Sequence, residues 1–305
     1  MHENEVVADL FAVNHSNYLP DRTLTATDVV VTDDRKPVTL TSFATSDQGS
    51  LRPLAVWLVA QCDLKGWQSS GSRFLHGRAS TLAGGLAHLR PDDTVAAAGW
   101  CDNGQQQVGT PAHDIPAVIQ NLEDWTAQQK SSTGASKRKG ELTLQQMLRN
   151  ISATVANIKP RPLPVLVFLH QDDTGTQGDE YQRILGILLE QSSIAFLITD
   201  GKGTYQPSQG YLAAGNIAHV LTELSADTGG SALITSSFED HPNAMGEALA
   251  SIVDRLHGRY QFSFVPQKID GKVHALAVQL SEAGRAKHGG ALLRTRLSYL
   301  APRGK

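Results

Sequence analysis

The chain lacks what would let it cross a membrane, cross-link itself extensively or bind a polyanion. Its longest fully apolar run is Leu54–Ala60, far short of the ~20 residues a spanning helix needs, so no transmembrane span is expected. Cysteine is nearly absent. Cys62 and Cys101 are too few for a disulfide scaffold or a four-cysteine zinc site. Lysine plus arginine number 27 against 30 aspartates plus glutamates, a net charge of −3 with no basic stripe, which argues against nucleic acid as a partner. The first 21 residues carry three acids among the first nine and no apolar core of a secretory signal. The expectation is either a cytoplasmic protein or a processed form.

Catalytic and cofactor motifs are also missing. There is no phosphate-binding loop ending in Gly-Lys-Ser/Thr, no nucleophile elbow and no His-Glu-x-x-His. Gly201-Lys202-Gly203 lacks the further glycine of a dinucleotide loop. Asp-Thr-Gly occurs at 173–175 and 227–229, the signature of aspartic-protease loops, but the second copy follows a helical pattern and reads as a helix stop with Gly229 just past its end. The eleven histidines are scattered, and neither His76/His88 nor His241/His257 has the spacing of a helical metal pair.

What is present is a globular α/β pattern. Hydrophobic residues make up 40% of 305 positions, enough for a sizeable core and inconsistent with wholesale disorder. Residues 28–43 read as a β-hairpin turning at Asp33-Asp34-Arg35-Lys36. Short apolar runs at 54–61, 94–101, 165–169, 194–199 and 231–234 read as buried strands, with a further short strand at 105–109. Helical patterns fall between them at 71–90, 112–126, 144–158, 181–191 and 217–224, and a last one covers 245–256. Residues 128–140, with Lys137-Arg138-Lys139, read as a solvated loop. This alternation predicts an α/β fold, a doubly wound and mainly parallel sheet. Beyond Gly258, 260–266, 273–281 and 291–299 alternate with period 2 and no intervening helices. With the hairpin they predict a small antiparallel β layer from the N- and C-terminal segments. The organisation expected is 1–50 and 259–305 in the β layer, and 51–258 as the α/β domain.

Three stretches together resemble the von Willebrand factor A (VWFA)-related domains common in acidobacterial genomes. LTATDVVVTDDRKPVTLTSF (24–43) is similar to their opening segment, and RPLAVWLVAQC (52–62) to their first core strand. LTELSADTGGSALI (221–234) followed by MGEALASIVDRLHGRYQFSFVP (245–266) resembles their closing pattern, and LSYLAP (297–302) their last strand. The resemblance implies a Rossmann-like VWFA fold, an extracytoplasmic setting and a protein-binding role through a metal-ion-dependent adhesion site at the strand carboxyl ends. Its Asp-x-Ser-x-Ser loop, Thr and second Asp hold Mg²⁺ through oxygen ligands. This chain departs at each position. Gln61, Asp63 and Lys65 stand in the first loop, Leu142 (with Thr143 one residue off) at the Thr, and His170 at the distal Asp. Leucine offers no ligand, and the lysine ammonium repels a cation.

The reading is therefore a non-enzymatic protein-interaction module with a degenerate adhesion site, needing no metal or other cofactor and meeting an unidentified protein partner. The candidate contact residues on the sheet rim are Gln61, Asp63, Lys65, Trp67, Trp100, Asp102, His170 and Asp172, with Trp67 the leading anchor. Two alternatives stand beside it. One is an enzyme using His170 with Asp172 or Asp173 as an acid/base pair. The other is a scaffold docking through its β layer. Neighbouring parallel strands would bring Cys62 and Cys101 to the same end of the sheet, where two reduced, partly buried thiols are expected.

Overall fold

The computed structural model describes residues 4–14, 20–45, 51–61, 77–101, 103–128, 137–169, 179–200, 218–235 and 241–304. The elements run β1 (Val6–Asn14), β2 (Val29–Asp33), β3 (Lys36–Val38), β4 (Leu40–Thr45), β5 (Leu54–Gln61), α1 (Ala79–Leu86), β6 (Thr94–Trp100), β7 (Gln106–Val108), α2 (Ile115–Gln128) and α3 (Lys137–Ala156). They continue with β8 (Leu163–Leu169), α4 (Asp179–Glu190), β9 (Ile194–Asp200), α5 (Ala218–Asp227), β10 (Ala232–Thr235) and α6 (Ala244–His257). The last are β11 (Tyr260–Phe264), β12 (Val273–Leu280), α7 (Glu282–His288), β13 (Ala291–Thr295) and β14 (Ser298–Leu300). They form two units: an α/β unit of residues 53–225 and 231–253, and a β unit of residues 1–52, 226–230 and 254–305. No helix among the described residues is long and apolar enough to cross a membrane.

The α/β unit is built on a six-stranded sheet in the order β10-β9-β8-β5-β6-β7. All neighbouring pairs are parallel except β6–β7, which is antiparallel. Leu54–Ala60 and Leu163–Leu169 are buried at every position, because parallel strands covered on both faces have no solvent side. The first strand in sequence, β5, sits in the middle, and the connections diverge from it toward both edges. That is the doubly wound order, with its switch point between β5 and β8. β7 turns back on β6 through Asn103 and Gly104, the latter at φ 94°. The periodic face of α3 is buried at Leu144, Met147, Leu148, Ile151 and Val155, as its spacing requires. The helix begins earlier than the sequence suggests, so Lys137-Arg138-Lys139 form its first turn rather than a loop. Gly85, the second of the Gly84-Gly85 pair in α1, has a structural reason. A Cβ on Gly85 would meet the Gly246 carbonyl of α6 at 2.5 Å, so the two helices touch backbone to backbone.

The β unit holds two four-stranded sheets, β13-β1-β11-β4 and β14-β12-β2-β3, not the single layer expected. A single layer would leave its apolar face in water. Instead Val6, Ala8, Leu10, Ala12, Tyr260, Phe262 and Phe264 from the first sheet share one core with Val29, Val31, Leu276 and Tyr299 from the second. Phe264 and Tyr299 meet edge to face across the sheets, with centroids 5.4 Å apart. The expected hairpin is divided. β2 and β3 pair, but β4 joins the other sheet beside β11. β1 is a central strand that the sequence reading missed, pairing antiparallel with both β11 and β13. Its opposite face buries Asp9, which accepts from Arg259 Nε at 3.1 Å, while Thr295 Oγ1 donates to its carbonyl at 2.8 Å. The short helix α7 also interrupts the expected run of strands, capped by Ser281 Oγ accepting from Gly284 N–H. Thr228-Gly229 ends α5 as read. Gly229 has φ 89°, and its N–H bonds the Ala226 carbonyl.

Two features carry testable consequences. The β2–β3 turn places both Asp34 (φ 47°) and Arg35 (φ 69°) in the left-handed region, which a two-residue hairpin demands and which only glycine adopts freely. Arg35→Gly should stabilise the β unit by about 1 kcal/mol in urea denaturation, and a neutral or negative effect would count against a strained turn. Asp28 is fully buried and accepts from the Thr25 hydroxyl (2.6 Å), the Thr25 N–H (2.9 Å) and Lys287 Nζ (3.0 Å). The Thr25 hydrogen bonds, ahead of Lys287, hold its carboxyl well below the usual carboxylate range. A depressed folded-state pKa gives stability that is complete above the unfolded value and fades as pH falls below about 4. Asp28→Asn should therefore lower the midpoint at pH 7, and the gap to the parent chain should narrow in melts at progressively lower pH.

Candidate functional site

The rim at the carboxyl ends of the parallel strands is the first candidate, since the connections diverge there. Of the eight residues singled out, Gln61 and Trp100 lie among the described residues. Asp63, Lys65, Trp67, Asp102, His170 and Asp172 lie outside them, as does Asp173. Gln61 closes β5, is partly exposed, and pairs in register with Trp100, which closes β6. Trp100 is not a contact residue. Its side chain is 1% exposed and packs edge to face on Phe168 of β8 at 6.0 Å, so it forms the floor beneath the rim. Next to it, Gly99 clears space for the Trp125 ring of α2, which any Cβ there would overlap. Leu142 and Thr143 do not precede the helix as the resemblance implied but lie within α3. Leu142 is exposed and Thr143 is buried.

Cys101, directly after Trp100, is disulfide-bonded, and no described cysteine is free, which overturns the expectation of two thiols. The sequence leaves Cys62, which follows Gln61, as the one intrachain partner available. The parallel register Gln61↔Trp100 brings the two chain segments together immediately before these positions, and neighbouring strands meet the distance a disulfide requires. Alkylation under denaturing, non-reducing conditions should leave the intact mass unchanged, and reduction should expose two reactive thiols. Two alkylations before reduction would show that the bridge does not form.

A second polar constellation lies in the β unit, which the sequence reading did not single out. His274, at the start of β12 and only 6% exposed, makes two ring contacts. Nδ1 lies 2.8 Å from Asp34 Oδ2, and Nε2 lies 2.9 Å from Asp270 Oδ1. The hydrogen bonds to Asp270 and Asp34 raise the imidazole above its ordinary value and hold both carboxyls below theirs. Tyr299 stacks on the imidazole with centroids 5.8 Å apart. Burial, then the neighbouring Asp33, pushes the Tyr299 phenol upward, although its hydroxyl makes no well-formed hydrogen bond. Asp33 is 1% exposed. Its Oδ2 accepts from Gln267 N–H at 2.9 Å, and its Oδ1 makes no well-formed hydrogen bond. The available signals were the Asp33-Asp34 turn and the i, i+4 pair Asp270/His274, but nothing in the sequence joins them.

No family model matches the chain, and no curated protein matches it. Solved structures do. The human COPII-coat protein Sec24c matches at 11% identity and TM-score 0.43 over 83% of this chain and 44% of that one, so this chain spans less than half its length. A von Willebrand factor type A protein from Catenulispora acidiphila matches at 9% identity and TM-score 0.39, over 99% and 76%. An aerotolerance-related membrane protein from Bacteroides fragilis matches at 10% identity and TM-score 0.42, over 67% and 99%.

Proposed function

We propose that this chain is a non-enzymatic, VWFA-like protein-interaction module that meets a protein partner at the carboxyl-end rim of its six-stranded sheet without an adhesion metal. The observation that carries the reading is the strand order. β5 and β8 lie side by side at the switch point, where doubly wound sheets open a crevice for ligands, and Gln61 stands partly exposed at that end of β5. The contact set is Gln61, Asp63, Lys65, Trp67, Asp102, His170 and Asp172, with Trp67 as the anchor, because tryptophan is enriched in binding hot spots. Mg²⁺ needs several oxygen ligands at ~2.1 Å, whereas this sequence offers a neutral amide at Gln61, a cation at Lys65 and no ligand atom at Leu142.

Melts of chain first stripped with EDTA and dialysed, recorded with and without millimolar Mg²⁺, should coincide. A ligand at ~100 times its Kd stabilises the native state by ~2.7 kcal/mol, so a surviving site would be plain. A rise of several degrees that Asp63→Ala abolishes would sink the metal-free reading. For the partner, immobilised chain should retain a protein from native extract, and Trp67→Ala should lose it while Arg35→Gly keeps it. Equal retention by both variants would move the interaction off the rim.

A further inference from the structure

We propose that Asp33, Asp34 and His274 form a Zn²⁺ site in the β unit, with Asp270 orienting the imidazole. One carboxylate oxygen from each aspartate and one ring nitrogen of His274 lie within 4.8 Å of one another. In a tetrahedral site with ~2.0–2.2 Å bonds the ligand atoms stand roughly 3.3 Å apart, so the three must close in on the ion when it binds. A mixed carboxylate and imidazole set suits Zn²⁺ better than Mg²⁺ or Ca²⁺, which prefer oxygen alone.

Four features set this cluster apart from an ordinary group of surface acids. The buried Asp33 carboxylate is engaged by Gln267 N–H at Oδ2, while its Oδ1 makes no well-formed hydrogen bond and has the Tyr299 hydroxyl as its neighbour, so one oxygen is open to a cation. Nε2 of His274 faces Asp270, which is the carboxylate–histidine relay that fixes a ligating ring and raises its basicity, leaving Nδ1 turned toward Asp34. Tyr299 holds the plane of the ring by stacking. Charge points the same way. Three carboxylates face one imidazole and Lys268, whose Nζ is 3.7 Å from Asp34 Oδ2. A dication in place of the imidazole proton offsets two of the three carboxylates. Without metal, a proton shared between Nδ1 and Asp34 occupies the same gap, so metal and proton compete for it. Asp34 and Asp270 are partly exposed and provide the way in.

The test is calorimetric titration of ZnCl₂ into the full chain at pH 7.5, with the absorption spectrum of a Co²⁺ titration alongside. One equivalent of Zn²⁺ should bind, and Co²⁺ should give the intense visible bands of a tetrahedral site. His274→Gln should lose at least 100-fold in affinity, and Asp270→Asn, which removes only the orienting group, 10- to 100-fold. His113→Gln, an exposed histidine elsewhere, should bind like the parent. Circular dichroism establishes that each variant is folded, and Asp34→Asn at the exposed turn replaces His274→Gln if that variant is not. Absence of saturable Zn²⁺ binding, or equal affinity in the His274 or Asp34 variant, would overturn the proposal. So would an octahedral Co²⁺ spectrum with preference for Mg²⁺.

Discussion

The β unit depends on a pairing between chain segments about as far apart as this sequence allows. β1 lies between β11 and β13, and its buried Asp9 meets Arg259 across 250 positions of sequence. The apolar alternation of β1 fixes which face turns inward, and Asp9 fixes the register. A slip of one residue would drive a carboxylate among Phe262, Phe264 and Tyr260 and turn Leu10 outward. Loop-closure entropy rises only by about 0.6 kcal/mol per doubling of length, so the long intervening segment is not itself a large obstacle. Most of that segment, residues 53–225 and 231–253, forms a compact unit of its own.

The two units solve the burial of strands differently. Strands of the α/β unit are apolar on both faces and take their cover from helices, so their polar needs fall at the ends, as where buried Asp93 accepts from the N–H groups of Leu54 and Arg90. Strands of the β unit are apolar on one face, and the connections between the two sheets must be secured by side chains. Tyr260 does so by donating to the Asp21 carbonyl and accepting from Leu24 N–H. Asp28, Asp33 and His274 each tie a turn to a strand or helix distant in sequence.

The α/β unit was legible because short apolar runs alternating with 3.6-residue periodicity admit few arrangements. Strands at 54–61, 94–101 and 194–199 lie within a residue of their expected limits. β1 was not legible, because Asp9 interrupts its apolar run and the segment reads as a polar terminus. The seven-residue α7 has no apolar stripe, and its only mark is Ser281. Period-2 alternation says which side chains share a face but not which sheet a strand joins, so two sheets read as one. On the rim, tryptophan at 100 was as compatible with a floor as with a contact. The Asp33, Asp34 and His274 group escaped because the end of β2 and its turn lie about 240 positions from the start of β12.

The distribution of aromatic residues gives the chain separate optical labels. All four tryptophans, Trp57, Trp67, Trp100 and Trp125, fall in the segments assigned to the α/β unit. The sandwich core contains tyrosine and phenylalanine instead, with Tyr260 and Tyr299 almost wholly enclosed. Emission excited where only indole absorbs therefore follows the α/β unit alone, whereas far-ultraviolet circular dichroism follows both. An unfolding curve read from tryptophan is blind to events confined to the sandwich, and coincidence of the two signals becomes a direct measure of whether the units melt as one cooperative body.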